Sequence, residues 1–318
     1  METDSVRTSA TRRLTRFQQL TLWTTGTTYL LILVGGLVRA AGAGLGCPDW
    51  PRCFGSWIPP LSAAELPAGF DRTQFNAVLM WTEYLNRLLG VTVGFLILAT
   101  LVVAIRDHRH TRRILWPSAL AFLLVGFEGW LGGVVVKEEL AAWLVTAHLV
   151  VALVIVSLLL YATVFAFFRD TAPAPLVSAK RRALATWTLI LIAVTLLQVG
   201  LGTQVRGAVD EAMRLGGSRF TALASAGAFD RWHRDTAVVV FGLVLLIAVQ
   251  IGRKERREPT LVRAAFALAI LVAVQIALGL TLAYMGLTPA TQIAHLSGAS
   301  LLLGAETVLL LLVRWLPL

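Results

Sequence analysis

The sequence predicts an all-α integral membrane fold of eight transmembrane helices, arranged as two pseudo-symmetric four-helix bundles. Three observations carry the prediction: an apolar composition, eight long apolar runs, and a repeat relating the two halves of the chain. Of the 318 residues, 57% are hydrophobic and 14% charged, and the mean hydropathy is +0.75. A soluble domain carries about 25% charged residues. A water-soluble fold of this composition would lack the polar surface to cover its core.

Crossing about 30 Å of hydrocarbon takes roughly 20 apolar residues in a helix. Runs of that length lie near 20–40, 78–104, 114–136, 141–168, 183–205, 233–252, 261–285 and 289–314. Backbone groups find no water in lipid, so only helices or closed barrels span; runs without period-2 alternation exclude the barrel. The first run is longer than a signal-peptide core and follows a polar stretch, residues 1–19, which reads as a cytoplasmic tail before a retained helix.

The connections supply the orientation. Arg7, Arg12, Arg13 and Arg16 precede span 1, and Arg106, Arg109, Arg112 and Arg113 follow span 2. Arg169, Lys180, Arg181 and Arg182 separate spans 4 and 5; Arg253, Lys254, Arg256, Arg257 and Arg263 lie between spans 6 and 7 or open span 7. More than half of the 28 basic residues thus fall in every second connection. That bias places both termini in the cytoplasm of a cell membrane. It accounts for the net charge of +10 without nucleic acid. The outer face then carries 41–77, 137–140, 206–232 and 286–288. Cys47 and Cys53, the only cysteines, bracket a Pro-Asp-Trp-Pro-Arg turn on that oxidising side, where a disulfide can persist.

At an offset of 147 residues the second half echoes the first. TAHLVVAL (146–153) lies over IAHLSGAS (293–300), EGWLGGVVV (128–136) over QIALGLTLA (275–283), and EYLNR (83–87) over DRWHR (230–234). Three motifs in order at one offset divide the chain into a half at 20–170, a cytoplasmic linker at 171–182 and a half at 183–318. Four helices per half make the repeats parallel. The first outer loop is 20 residues longer in the first half, and the extra length carries CPDWPRC.

The chain has five histidines. His108 and His110 fall in a basic cytoplasmic loop and read as solvated. His148, His233 and His295 lie near the outer ends of spans 4, 6 and 8, where an ionisable group is a functional candidate, although an interfacial histidine also satisfies itself with a carbonyl or water. His233 and His295 recur at repeat-related places. Two imidazoles across a bundle, without nearby cysteines, suit a haem iron better than structural zinc, which wants four close ligands. Gly132, Gly133, Gly200, Gly202, Gly279 and Gly298 would either admit a macrocycle or let helices pack. Arg39, Arg87, Arg206 and Arg234 sit at outer span ends, as clamps for carboxylates such as haem propionates or as markers of the headgroup boundary. Glu83 shares a helix face with Asn86 and would move protons, pair with Arg87, or both. Glu128 and Glu306 lie deeper and have either a proton-path or a buried hydrogen-bonding role.

GLGCPDWPRC followed by IPP, EY-x-x-R opening one span, AHL another, then WHR and AHLSGA, together resemble the haem A synthase family over about residues 20–314. The resemblance implies a membrane oxidoreductase that converts haem O to haem A by oxidising a porphyrin methyl to a formyl group, for cytochrome oxidase assembly. It implies His233 and His295 as the axial ligands of a haem B cofactor in the C-terminal half. It implies haem O as substrate in the N-terminal half, with His148 as its iron ligand and Glu83 as the catalytic carboxylate. Haem O synthase and an electron donor are the implied partners, beside membrane lipid and an open question of homo-oligomer formation.

One departure stands out: Asn86 occupies the place of a second N-terminal histidine. Either the substrate iron is five-coordinate on His148, or the propionates and farnesyl tail hold the substrate and ligation is secondary. Cys47 and Cys53 match the outer-loop pair of many family members and are expected to form a disulfide, worth about 2 kcal/mol for so short a loop. It acts as a clip holding the loop over the N-terminal pocket or as a redox pair; the absence of a CxxC favours the clip. The competing classes are a di-haem b-type cytochrome carrying electrons from quinol to an outer partner, and a transporter.

Overall fold

The computed structural model describes residues 13–168, 179–218, 221–254 and 258–315. Among the described residues eight helices are long and apolar enough to cross a membrane, and the chain is a multi-pass membrane protein. They are α1 (Arg16–Ala40), α2 (Ala77–His108), α3 (Arg112–Lys137), α4 (Ala142–Phe167), α5 (Ala179–Arg214), α6 (Ala228–Lys254), α7 (Pro259–Tyr284) and α8 (Pro289–Trp315). Arg7, Arg12, Arg169, Arg256 and Arg257, most of the expected tail and residues 171–178 of the expected linker lie outside the described residues.

The helix starts follow local chemistry. Thr15 and Gln18 form a reciprocal capping box before α1, each side chain bonded to the other's backbone N–H. The Asn76 side chain accepts the N–H groups of Val78 and Leu79 at the start of α2. Pro259 and Pro289 open α7 and α8, where a missing N–H costs nothing.

Two closed rings result. α1 packs on α2, α2 on α3, α3 on α4 and α4 back on α1; α5 to α8 close in the same order. The rings meet through their repeat-related members, α1 and α4 of one against α5 and α8 of the other. Lipid gives helices no hydrophobic reason to associate, so polar groups and close packing hold them together. Thr24 on α1 meets Thr100 on α2 at 3.0 Å, and Thr25 meets Thr163 on α4 at 3.4 Å. Between the rings, Thr146 on α4 meets Thr203 on α5 at 2.5 Å, and the Gln204 amide donates to Thr146.

Two expectations change. α5 runs on to Arg214 and α6 begins at Ala228, so the second outer loop is much shorter than 206–232. Beyond residue 205 the helix is polar and hydropathy loses it, but Arg206–Asp210 and Arg214–Glu211 pair one turn apart and support it. His108 is buried in the last turn of α2, its ring edge-on to Phe17 at 4.8 Å, because α1 covers that turn; His110 is exposed as expected.

Candidate functional site

The four repeat-related positions on the second and fourth helices of each ring share one local design. Each side chain rests against a glycine of the preceding helix. A Cβ added at Gly132, Gly202 or Gly279 would lie 3.4, 3.0 or 3.5 Å from Cε1 of His148, His233 or His295, and one at Gly35 would lie 4.0 Å from Asn86 Oδ1. Gly35 and Gly202 each precede the arginine that ends the outer-face motif, Arg39 and Arg206, by four residues. In this structure the glycines seat the candidate ligands themselves. Gly133 instead lies against the Trp50 ring, and Gly298 against the Gln275 amide.

In the second ring, His233 on α6 and His295 on α8 face each other with ring centroids 6.3 Å apart. Two metal–nitrogen bonds of about 2.0 Å and two ring radii of about 1.1 Å separate axial imidazole centroids by about 6 Å. The pair therefore has the spacing of two imidazoles that share one metal. His233 Nδ1 lies 3.1 Å from the Gln198 carbonyl, which suits an N–H there and leaves Nε2 as the ligating nitrogen. Gln198 is itself held by Thr236, and its amide nitrogen lies 3.5 Å from His233 Nε2. His295 Nδ1 is buried without a hydrogen-bond partner, while its carbonyl accepts from Gln275 at 2.9 Å. Among the described residues no three His, Cys, Asp or Glu side chains gather into a metal cluster, so a metal on this pair must bring other ligands with it.

The first ring is built differently. His148 Nδ1 lies 3.1 Å from Glu128 Oε1, an ion-pair distance, with no aligned hydrogen bond to either Glu128 oxygen. Glu128 takes the place that Gln275 holds in the second half, four residues before the seating glycine and twenty before the histidine. Asn86 Oδ1 is buried and unpartnered.

Above this ring sits the long loop. Cys47 and Cys53 form a disulfide, with Cα atoms 4.8 Å apart, inside a small apolar core with Phe54, Leu66 and Met80. Gly46 lies so close to the first turn of α2 that a Cβ would come within 2.5 Å of the Leu79 carbonyl. Asp49 folds the turn by accepting the N–H groups of Phe54 and Gly55. Trp50 reaches to Gly133 on α3, next to the seat of His148.

Arg87 locks the loop down. Its Nη1 donates to the carbonyls of Asp49 (2.7 Å) and Arg52 (2.9 Å), and its Nη2 to that of Cys47 (3.1 Å) and to Glu83 (2.5 Å). Nε donates to Glu83 as well, so all five donors are engaged within the chain. Glu83 is 4% exposed and its other oxygen accepts the Cys47 N–H at 2.8 Å. Arg234 pairs with Asp230 at 2.8 Å and meets Tyr284, whose ring centroid lies 5.9 Å away.

Arg39 and Arg206 meet at the junction of the rings on one carboxylate: Asp210 pairs with Arg39 at 3.0 Å and with Arg206 at 2.6 Å. Arg206 also donates to Gln292 on α8. Three guanidinium nitrogens, Nε and Nη1 of Arg39 and Nε of Arg206, stay buried without a partner. Glu306 on α8 is fully buried and accepts from Thr195 at 2.8 Å.

Asp210 and Gln198 escaped the sequence reading, and Trp50 entered it only as part of the CPDWPRC turn, without a role of its own. Asp210 carried a local signal, four residues after Arg206; Gln198 carried none.

The family profile described as cytochrome oxidase assembly protein, COX15-CtaA, matches residues 18–307. Similar proteins include the haem A synthases of Rhizorhabdus wittichii (28% identity, 87% of this chain and 88% of the relative), Shewanella oneidensis (26%, 87% and 90%) and a Chelativorans species (29%, 88% and 86%). With a match across nearly all of its length, the chain belongs to the COX15-CtaA family of cytochrome oxidase assembly proteins.

Proposed function

We propose that the chain is a haem A synthase, an oxidoreductase that takes haem O in the membrane and oxidises its porphyrin methyl group to the formyl group of haem A. The observation that carries this reading is the inequality of the two rings. One holds two imidazoles that face each other, and the other a single histidine, with a buried amide at the place of the second. A pure electron relay would use the matched pair twice.

In this reading the C-terminal half, 183–318, holds haem B between His233 and His295, and the N-terminal half, 20–170, holds haem O with its iron on His148. The haem irons supply the redox chemistry when bound. The protein seats the ligands against glycines, so that ring orientation is fixed before loading. Arg39 and Arg206, with unspent buried donors, are suited to propionates. Arg234, half-exposed, is a third clamp on the cofactor side. Arg87, saturated by carbonyls and Glu83, instead anchors the loop over the substrate half. Glu83 lies three residues from Asn86 and is the acid–base candidate. Its Oε2 accepts the Cys47 N–H, so a proton arriving there weakens that hydrogen bond and is felt by the loop. The loop, the disulfide and these arginines lie on the outer face, and both termini in the cytoplasm. Haem O synthase supplies the substrate, and a separate donor supplies electrons.

The test is a pigment extraction from protein made in a host that produces haem O. Haem A beside haem B is expected, and Glu83→Gln is expected to retain haem B while losing haem A. Haem B alone, with haem O present in the membranes, would overturn the reading in favour of an electron carrier.

A further inference from the structure

The three candidate ligand histidines differ in what holds the second ring nitrogen. His233 faces the Gln198 backbone carbonyl at 3.1 Å, His295 lies against the Gln275 backbone without an aligned hydrogen bond on Nδ1, and His148 faces a carboxylate at 3.1 Å. The carboxylate belongs to Glu128, whose side chain is 13% exposed and whose oxygens have no other hydrogen-bond partner in the described structure. A carboxylate at that depth in a membrane helix is costly and needs a reason. The repeat supplies a control, because Gln275 holds the equivalent place on α7. The Gln275 amide turns to the His295 backbone carbonyl.

We propose that Glu128 is a positioning residue for the substrate iron: it fixes the His148 ring with Nε2 free for the metal and makes that imidazole a stronger electron donor than either member of the C-terminal pair. A carboxylate on the distal N–H of a ligating histidine fixes the tautomer and raises ligand basicity, and a neutral amide does so far less. The effect matters most where the histidine stands alone. With Asn86 at the place that His233 takes in the second half, His148 is the one imidazole of its ring, so whatever Glu128 lends to it is delivered to one iron. Gln275 leaves the matched pair without that bias. This inference rests on the reading of His148 as the substrate ligand.

The measurement is resonance Raman on the reduced, purified protein carrying haem B and loaded with haem O. Only a five-coordinate ferrous haem shows an iron–histidine stretching band, so the six-coordinate C-terminal haem is silent. The parent protein is expected to show the band, and His148→Ala to lose it. Glu128→Gln is expected to move it to lower frequency and to weaken haem O binding by about 10–100-fold. The low-spin C-terminal spectrum is the control for assembly. If Glu128→Gln fails that control, Glu128→Asp, which keeps the charge on a shorter arm, is expected to show a smaller shift in the same direction. A band unmoved in the assembled variant overturns the proposal alone. A parent without the band, or a band that survives His148→Ala, removes the ligand assignment and the proposal with it.

Discussion

The two halves of this chain are copies that have been given different amounts of freedom. In the second half, imidazoles face each other from α6 and α8, the outer loop is short, and the acid–arginine pair at the head of α6 is exposed. In the first half one imidazole has become an amide, the other leans on a carboxylate, and the same acid–arginine pair is buried under a disulfide loop. Cores differ in the same sense. One continuous cluster fills the second ring, while the first is divided between two smaller clusters, with a third inside the loop. A symmetric two-ligand site suits a resident group. An asymmetric roofed one suits a group that must enter, react and leave.

The largest effect that would break this comparison is loss of a pigment. His295→Ala is expected to abolish the low-spin haem B signal, whereas His148→Ala leaves it in place. An optical spectrum of each purified variant decides it, and an unchanged signal in His295→Ala would dissolve the distinction between halves.

Next comes the arginine that recurs in both. Arg87→Met strands buried Glu83 and frees the loop, at a cost of about 3–5 kcal/mol. Arg234→Met breaks an exposed pair and costs at most about 1 kcal/mol. Thermal unfolding of the two variants side by side would sharpen the comparison, and equal losses would refute it. The smallest expected effect is that of the disulfide: Cys47→Ser with Cys53→Ser is expected to cost about 2 kcal/mol and to loosen the loop to proteolysis, with the C-terminal spectrum intact.

Much of this was legible in the chain itself. Each of the eight spans is an apolar run of bilayer length, and a physical law, the cost of unpaired backbone in lipid, makes each one a helix. His148 and His295 were legible because they recur at one offset, and His233 because it lies over Asn86 at the same offset. The same offset places Glu128 over Gln275, yet the pairing of Glu128 with His148 appears only when α3 packs against α4. The polar end of α5 was hidden because hydropathy measures lipid preference, and that turn is held by ion pairs. Asp210 joins side chains from two helices 171 positions apart in the chain for Arg39, a meeting set by how the rings abut. Arg87 was legible only in part: its pair with Glu83 follows from the four-residue spacing, but its grip on three loop carbonyls does not, since every residue has one.

That last property has a bearing on how such a loop can evolve. Arg87 grips main-chain oxygens of residues 47, 49 and 52, so what it recognises is the path of the turn. Trp50 projects from the same turn onto α3 and is not among the groups that Arg87 holds. The loop is thereby hung by its backbone, and as far as this anchor is concerned, what evolution has to keep is the course of the chain from residue 47 to residue 52.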